Sequence, residues 1–256
     1  MDKNRKRIHM LDEIRGFAII CMVIHHTFLD IGDVLGLSWG YEIFDALCIV
    51  QPVFWAAFII ISGMCTRLSR NAVKRGFLVI GCAVLVTVVT AVVMPFAGFD
   101  GAQIYFGILH FMGICMVAAG LLLPVMKKID YRIGALISAV LFLFFYGIDK
   151  HTLCFGLIDL PDNLYSSNIF APLGFHNDSF YSADYFPLIP WIFMFFFGSF
   201  VGKLAAEEKL PPSMYKSRIK PLSFVGKNSL WIYLAHQPVI YGVLFLAAII
   251  KGAFLT

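Results

Sequence analysis

Charge is what this 256-residue sequence has least of. Asp, Glu, Lys and Arg make up 14% of it, against 60% hydrophobic residues. A soluble domain of this size is about a quarter charged and about half apolar. With a mean hydropathy of +0.82, the surplus apolar surface must meet lipid rather than water. The known soluble signatures are also missing. There is no P-loop, no G-x-G-x-x-G, no H-E-x-x-H and no G-x-S-x-G. The six cysteines (Cys21, Cys48, Cys65, Cys82, Cys115, Cys154) form no C-x-x-C pair. They read as small buried hydrophobes, so neither a disulfide framework nor a metal site is expected. No fixed-period repeat or low-complexity tract is visible, and a nucleic-acid partner is not expected.

What is present is a series of apolar runs long enough to cross a bilayer, which takes about 20 residues each. The reading is an all-α, polytopic membrane helix bundle forming one domain over residues 1–256. About seven spans are expected, near 14–29, 43–64, 76–94, 104–125, 133–146, 186–201 and 230–250. With the N-terminus cytoplasmic and the C-terminus outside, every Lys and Arg except Arg15, Lys150 and Lys251 falls in an inner segment or beside one. That asymmetry is the positive-inside pattern. The outer segments are acidic, with Asp30, Asp33, Asp100, Asp149 and Asp184 among their residues. The long outer segment 147–185 is rich in Asp, Asn, Ser and aromatics and reads as ordered. The N-terminal apolar run carries Arg15, His25 and His26 and no small-x-small cleavage pattern follows, so a retained span is expected rather than a signal peptide.

The polar residues inside these runs need a reason, since an ionisable side chain in a span is costly. Arg15 and His26 are eleven residues apart. At about 100° per residue this is about three turns, so they share one helix face about 16 Å apart. Asp30 lies four residues beyond His26, within reach of its imidazole. A His–Asp pair in a membrane cavity suits a general base, with the carboxylate fixing the tautomer. A proton relay in a transporter needs much the same groups. His110 and Asp184 fall at a depth similar to His26 and Asp30, and with His25 they are candidate substrate contacts. His110 is equally readable as an interhelical hydrogen bond holding the bundle. In the last segment, Gly226, Asn228 and Ser229 read as a capped helix start. Asn228, His236 and Gln237 are candidate cofactor contacts there, toward the inner side.

Five motifs occur in order: RGFAIICMVIHH, FIIISGMC, IYFGILHFMGICM, DYFPLIPW and LSFVGKNSLWIYLAHQPV. From Ile8 to Val239 the chain resembles a family of bacterial membrane proteins akin to the lysosomal heparan-α-glucosaminide N-acetyltransferase. Its Arg-Gly start, with His eleven residues later, also resembles the wider class of membrane acyltransferases that modify surface glycans. The resemblance implies an acetyltransferase of the bacterial cytoplasmic membrane. Acetyl-CoA would be the donor, and an amine or hydroxyl of an outer-face glycan or amino sugar the acceptor. The functional pair of the wider class matches Arg15 and His26. His26 is then the base or a transient acetyl carrier, Asp30 its orienter, and Arg15 a group for the CoA end. One departure stands out: the lysosomal relative carries its key His in the outer segment after the first span, ahead of Ser-Trp. Here Ser38-Trp39 is preceded by Leu35-Gly36-Leu37. The rival class of function is a proton-coupled transporter or flippase of a polar lipid or sugar. The oligomeric state is not readable.

Overall fold

The computed structural model describes residues 6–96 and 101–254. Lys3, Arg5 and Asp100 of the charge pattern lie outside the described residues, as does the side chain of Lys251. The helices are α1 (His9–Leu35), α2 (Ser38–Cys48), α3 (Gln51–Leu68) and α4 (Ala72–Phe96), then α5 (Ile108–Met126) and α6 (Tyr131–Phe145). After a long segment come α7 (Trp191–Ala206), α8 (Lys220–Lys227) and α9 (Ser229–Phe254). Among the described residues, six helices are long and apolar enough to cross a membrane, and the 16-residue α7 is a shorter apolar one. The fold is the polytopic all-α bundle that the composition requires. Large apolar side chains such as Phe77, Leu78 and Leu85 stay exposed along α4. In a bilayer they lose nothing, because lipid tails are as apolar as they are.

Several boundaries differ from the expectation in instructive ways. The second apolar run is two helices: α2 ends at Cys48, residues 49–50 turn, and α3 restarts at Gln51 with Pro52 in its first turn. Proline is well placed there, since the first helical N–H groups have no partner inside the helix. The apolar Ile49 and Val50 disguise this break in the sequence. Helix α5 starts at Ile108 rather than 104, and α7 at Trp191 rather than 186. Residues 147–190 are ordered, as expected, with short 3-10 turns at Asp162–Tyr165 and Asn168–Leu173. They also hold a two-residue hairpin, β1 (Thr152–Leu153) against β2 (Ile158–Asp159).

The chain divides into two compact units. One is residues 59–209, and the other combines the chain up to residue 58 with the part from residue 210 on. In the first unit, small residues let backbones touch. A Cβ on Gly198 would lie 2.1 Å from Ile60 O, and one on Gly63 would lie 2.1 Å from Phe195 O. Close approach through small residues is how helices associate where no hydrophobic gain is available. Beside this contact Thr66 Oγ1 meets Ser199 Oγ at 3.1 Å, and Arg67 Nε donates to Ser199 O at 2.9 Å.

In the second unit, α1 packs on α8 and α9. A Cβ on Gly226 would lie 1.8 Å from Asp12 O, and one on Gly16 would lie 2.1 Å from Leu222 O. The buried Glu13 carboxylate accepts from Arg218 N at 2.8 Å and Ile219 N at 3.0 Å. Ser223 Oγ also donates to it at 3.3 Å. These donors open α8, so the acid of one helix caps the next.

Candidate active site

The second unit brings the singled-out residues of α1 against α9 in three successive pairs. At the first, Arg15 Nη2 donates to Ser229 Oγ at 2.8 Å, and its guanidinium sits 5.9 Å above the Phe58 ring. Among the described residues no carboxylate pairs with Arg15, and its buried Nε has no hydrogen-bond partner. At the second pair, the rings of His26 and His236 lie 5.3 Å apart. His236 Nδ1 donates to Tyr233 O, which orients that ring. At the third, Gln237 Nε2 donates to Asp30 Oδ1 at 3.1 Å. Asp30 is 1% exposed, and among the described residues its Oδ2 and Gln237 Oε1 are buried without hydrogen-bond partners. The face shared by Arg15 and His26 thus meets α9 at each level, with Phe58 of α3 also against Arg15.

Two expectations about this seam need correction. Asp30 does not bond His26; its carboxylate turns to α9, where Gln237 offers an amide donor inside an apolar surround. His236 and Gln237 do not sit with Arg15 at the start of α9. They meet His26 and Asp30, so α9 supplies groups to the same cluster. Asn228 does stand at the helix start, since its carbonyl accepts the first bond of α9, but its side chain turns back to α8. Its N–H bonds Phe224 O and Val225 O, its side-chain amide bonds Phe224 O, and its carbonyl accepts from Ile232 N. It is the joint where α8 ends and α9 begins. The neighbouring Ser229, which the sequence reading used only as a cap, is the residue that meets Arg15.

His25 points elsewhere from His26. It is buried, with Nε2 3.5 Å from Cys48 Sγ and Nδ1 3.3 Å from Gln51 Nε2. The Phe44 ring packs 4.3 Å from its own. None of these three partners was legible in advance, because α2 and its turn into α3 were hidden inside one apolar run.

His110 and Asp184 lie in the first unit, and both serve the opening of α5. Gly107 N donates to His110 Nδ1 at 3.2 Å. Thr87 Oγ1 gives its proton to Ile104 O at 2.7 Å and so accepts from His110 Nε2 at 3.3 Å. Both ring nitrogens are thereby used, which is the bundle-holding alternative. Asp184 Oδ2 accepts from Ile108 N at 3.3 Å, an acid on a helix N-terminus. Replacing His110 with Ala is expected to remove a cap and an interhelical bond. The melting midpoint should fall by the equivalent of about 1–2 kcal/mol, and thermal unfolding in detergent checks it.

Among the described residues no group of three His, Cys, Asp or Glu is placed to hold a metal ion. A family model described as "Heparan-alpha-glucosaminide N-acetyltransferase, catalytic" matches residues 7–238. No curated protein and no solved structure matches the chain.

Proposed function

From the premise that this chain belongs to the heparan-alpha-glucosaminide N-acetyltransferase catalytic family of membrane acetyltransferases, we propose that it carries an acetyl group across the bacterial cytoplasmic membrane. The donor is cytoplasmic acetyl-CoA. The acceptor is an amine or hydroxyl of a glycan or amino sugar on the outer face. The whole matched chain, 7–238, acts as a single catalytic domain. The observation that carries this reading is the seam of Arg15–Ser229, His26–His236 and Asp30–Gln237 along one face of α1.

Acetyl transfer needs a base for the acceptor proton and donors for the donor's acyl or anionic end. His26 is only partly buried. It takes the proton as the acceptor attacks the acetyl carbon, and the thioester sulfur leaves as a thiol. Arg15 stands about 16 Å away along the helix, a distance comparable to an extended pantetheine arm. Among the described residues its charge meets no carboxylate and its Nε no acceptor, which suits an anionic or carbonyl group of the donor. A partly buried charge without a counter-charge is costly, and a bound anion lowers that cost.

The test is a thermal-shift series with acetyl-CoA, CoA and ATP on the purified protein. Acetyl-CoA at about 100 times its Kd should stabilise the folded state by about 2.7 kcal/mol through mass action. Arg15→Gln should lose most of that shift. Equal shifts from ATP and acetyl-CoA, or an unchanged shift in Arg15→Gln, would remove Arg15 from donor binding.

A further inference from the structure

Cys48, His25 and Gln51 form a cluster that the seam does not use. Cys48 ends α2, His25 is on α1 and Gln51 opens α3. The Cys48 Sγ to His25 Nε2 distance of 3.5 Å is hydrogen-bond range for sulfur, and Gln51 reaches the ring's other nitrogen at 3.3 Å. A thiol, an imidazole and an amide in line have the logic of an activated nucleophile: attacking group, base, and a third group orienting the base. The Gln51 amide orientation is interchangeable between oxygen and nitrogen. With its oxygen toward Nδ1 it accepts that proton and leaves Nε2 basic toward the thiol. The Phe44 ring holds the imidazole from the side. His25 is buried while Cys48 is half-buried, so the base is sheltered and the sulfur is reachable. A cysteine thiol rests protonated at neutral pH and needs the imidazole to become a nucleophile.

We infer that Cys48 is an acyl-accepting nucleophile, with His25 its base and Gln51 the positioning residue, and that the acetyl group passes through a Cys48 thioester. The inference rests on the acetyl-donor reading above. In the first step Sγ attacks the acetyl carbon of acetyl-CoA, and the bond from that carbon to the CoA sulfur breaks. The Cys48 proton passes through His25 Nε2 to the departing CoA thiolate, leaving S-acetyl-Cys48 and CoA. One thioester replaces another, so no outside energy source or redox partner is needed. In the second step the acceptor amine attacks the same carbon and the Cys48 sulfur leaves. The amine proton is taken by His26, whose ring is 5.7 Å from that of His25, and returned to the sulfur. The two adjacent histidines then serve one half-reaction each.

The experiment uses full-length protein in lipid nanodiscs, acetyl-CoA labelled in its acetyl group, and no acceptor. One acetyl per chain is expected on the Cys48 peptide, released by neutral hydroxylamine as a thioester is. Cys48→Ser should abolish the hydroxylamine-labile label, and His25→Gln should slow its formation by about 10²-fold or more. Gln51→Leu should slow it as well, with Gln51→Glu restoring it. A label on His26 instead, or full transfer to methyl glucosaminide by Cys48→Ser, would overturn the inference while leaving the acetyltransferase reading intact. N-ethylmaleimide provides an arm independent of CoA: Cys48 should alkylate fastest of the accessible thiols, and more slowly in His25→Gln. Alkylation that ignores His25 overturns the nucleophile itself. His25-dependent alkylation without any acetyl label supports the nucleophile and overturns its acetyl donor.

Discussion

His26→Ala is expected to lower acetyl transfer to a glucosaminide acceptor by about 10²–10⁴-fold, the usual worth of a positioned general base. Acetyl-CoA should still raise the melting midpoint of the variant, because Arg15 lies about three turns away. The reason to single out His26 over its neighbour is geometric. His25 has both ring nitrogens beside protein groups, Cys48 Sγ and Gln51 Nε2, and is buried. His26 is half-buried and faces the His236 ring, on the face that also carries Arg15 and Asp30. If acetyl passes through Cys48, the variant should also accumulate the S-acetyl form, since the step that unloads it is the one that fails. Undiminished turnover in His26→Ala would take this residue out of the mechanism. The assay is labelled acetyl transfer by purified protein, normalised to folded material.

The second large effect is on stability. Glu13→Leu should cost about 3 kcal/mol or more, read as a lower melting midpoint and loss of the monodisperse peak in detergent. The Glu13 carboxylate accepts from two backbone N–H groups and from Ser223. Hydrogen bonds to a charged group contribute about 1.5–3 kcal/mol each, and leucine takes the acceptor away from two backbone N–H groups and from the buried Ser223 hydroxyl. Glu13→Gln keeps one acceptor oxygen and should lose distinctly less. The damage should be felt at α8 and reach the site, because Glu13 and Arg15 are two residues apart on α1 while α8 runs directly into Ser229. A Glu13→Leu protein as stable as the parent would mean that the glycine contact of Gly16 and Gly226 alone fixes α8.

Much of the fold could be read from apolar run length, because each span must satisfy its own backbone in lipid. The face shared by Arg15 and His26 was equally readable, since a single helix's geometry sets it. What could not be read was which helix lies against that face. Ser229, His236 and Gln237 are more than two hundred residues away in sequence, and helix pairing in lipid is decided by small-residue contacts such as Gly16 with Gly226, which carry little pattern. Depth along the membrane normal did not reveal that His110 and Asp184 meet at one helix end. Placing residues at one level says nothing about whether they serve a site or a helix end, and here both finish the first turn of α5. The turn at residues 49–50 was masked by apolar residues, and with it went the partners of His25. The usable clue was Gln51-Pro52, a polar residue and a proline inside a run that otherwise read as continuous.

The carboxylate that finishes the first turn of α5 arrives from 76 residues further along the chain. The segment after α6, pinned by its far end to the start of a membrane span, ties two fates together. Prising the segment outward strips the terminal amides of α5 of their anion. Fraying α5 in turn releases the segment's tether. Those residues therefore let go together in unfolding, and shortening the segment without regard to Asp184 would loosen a span that the deletion never touched.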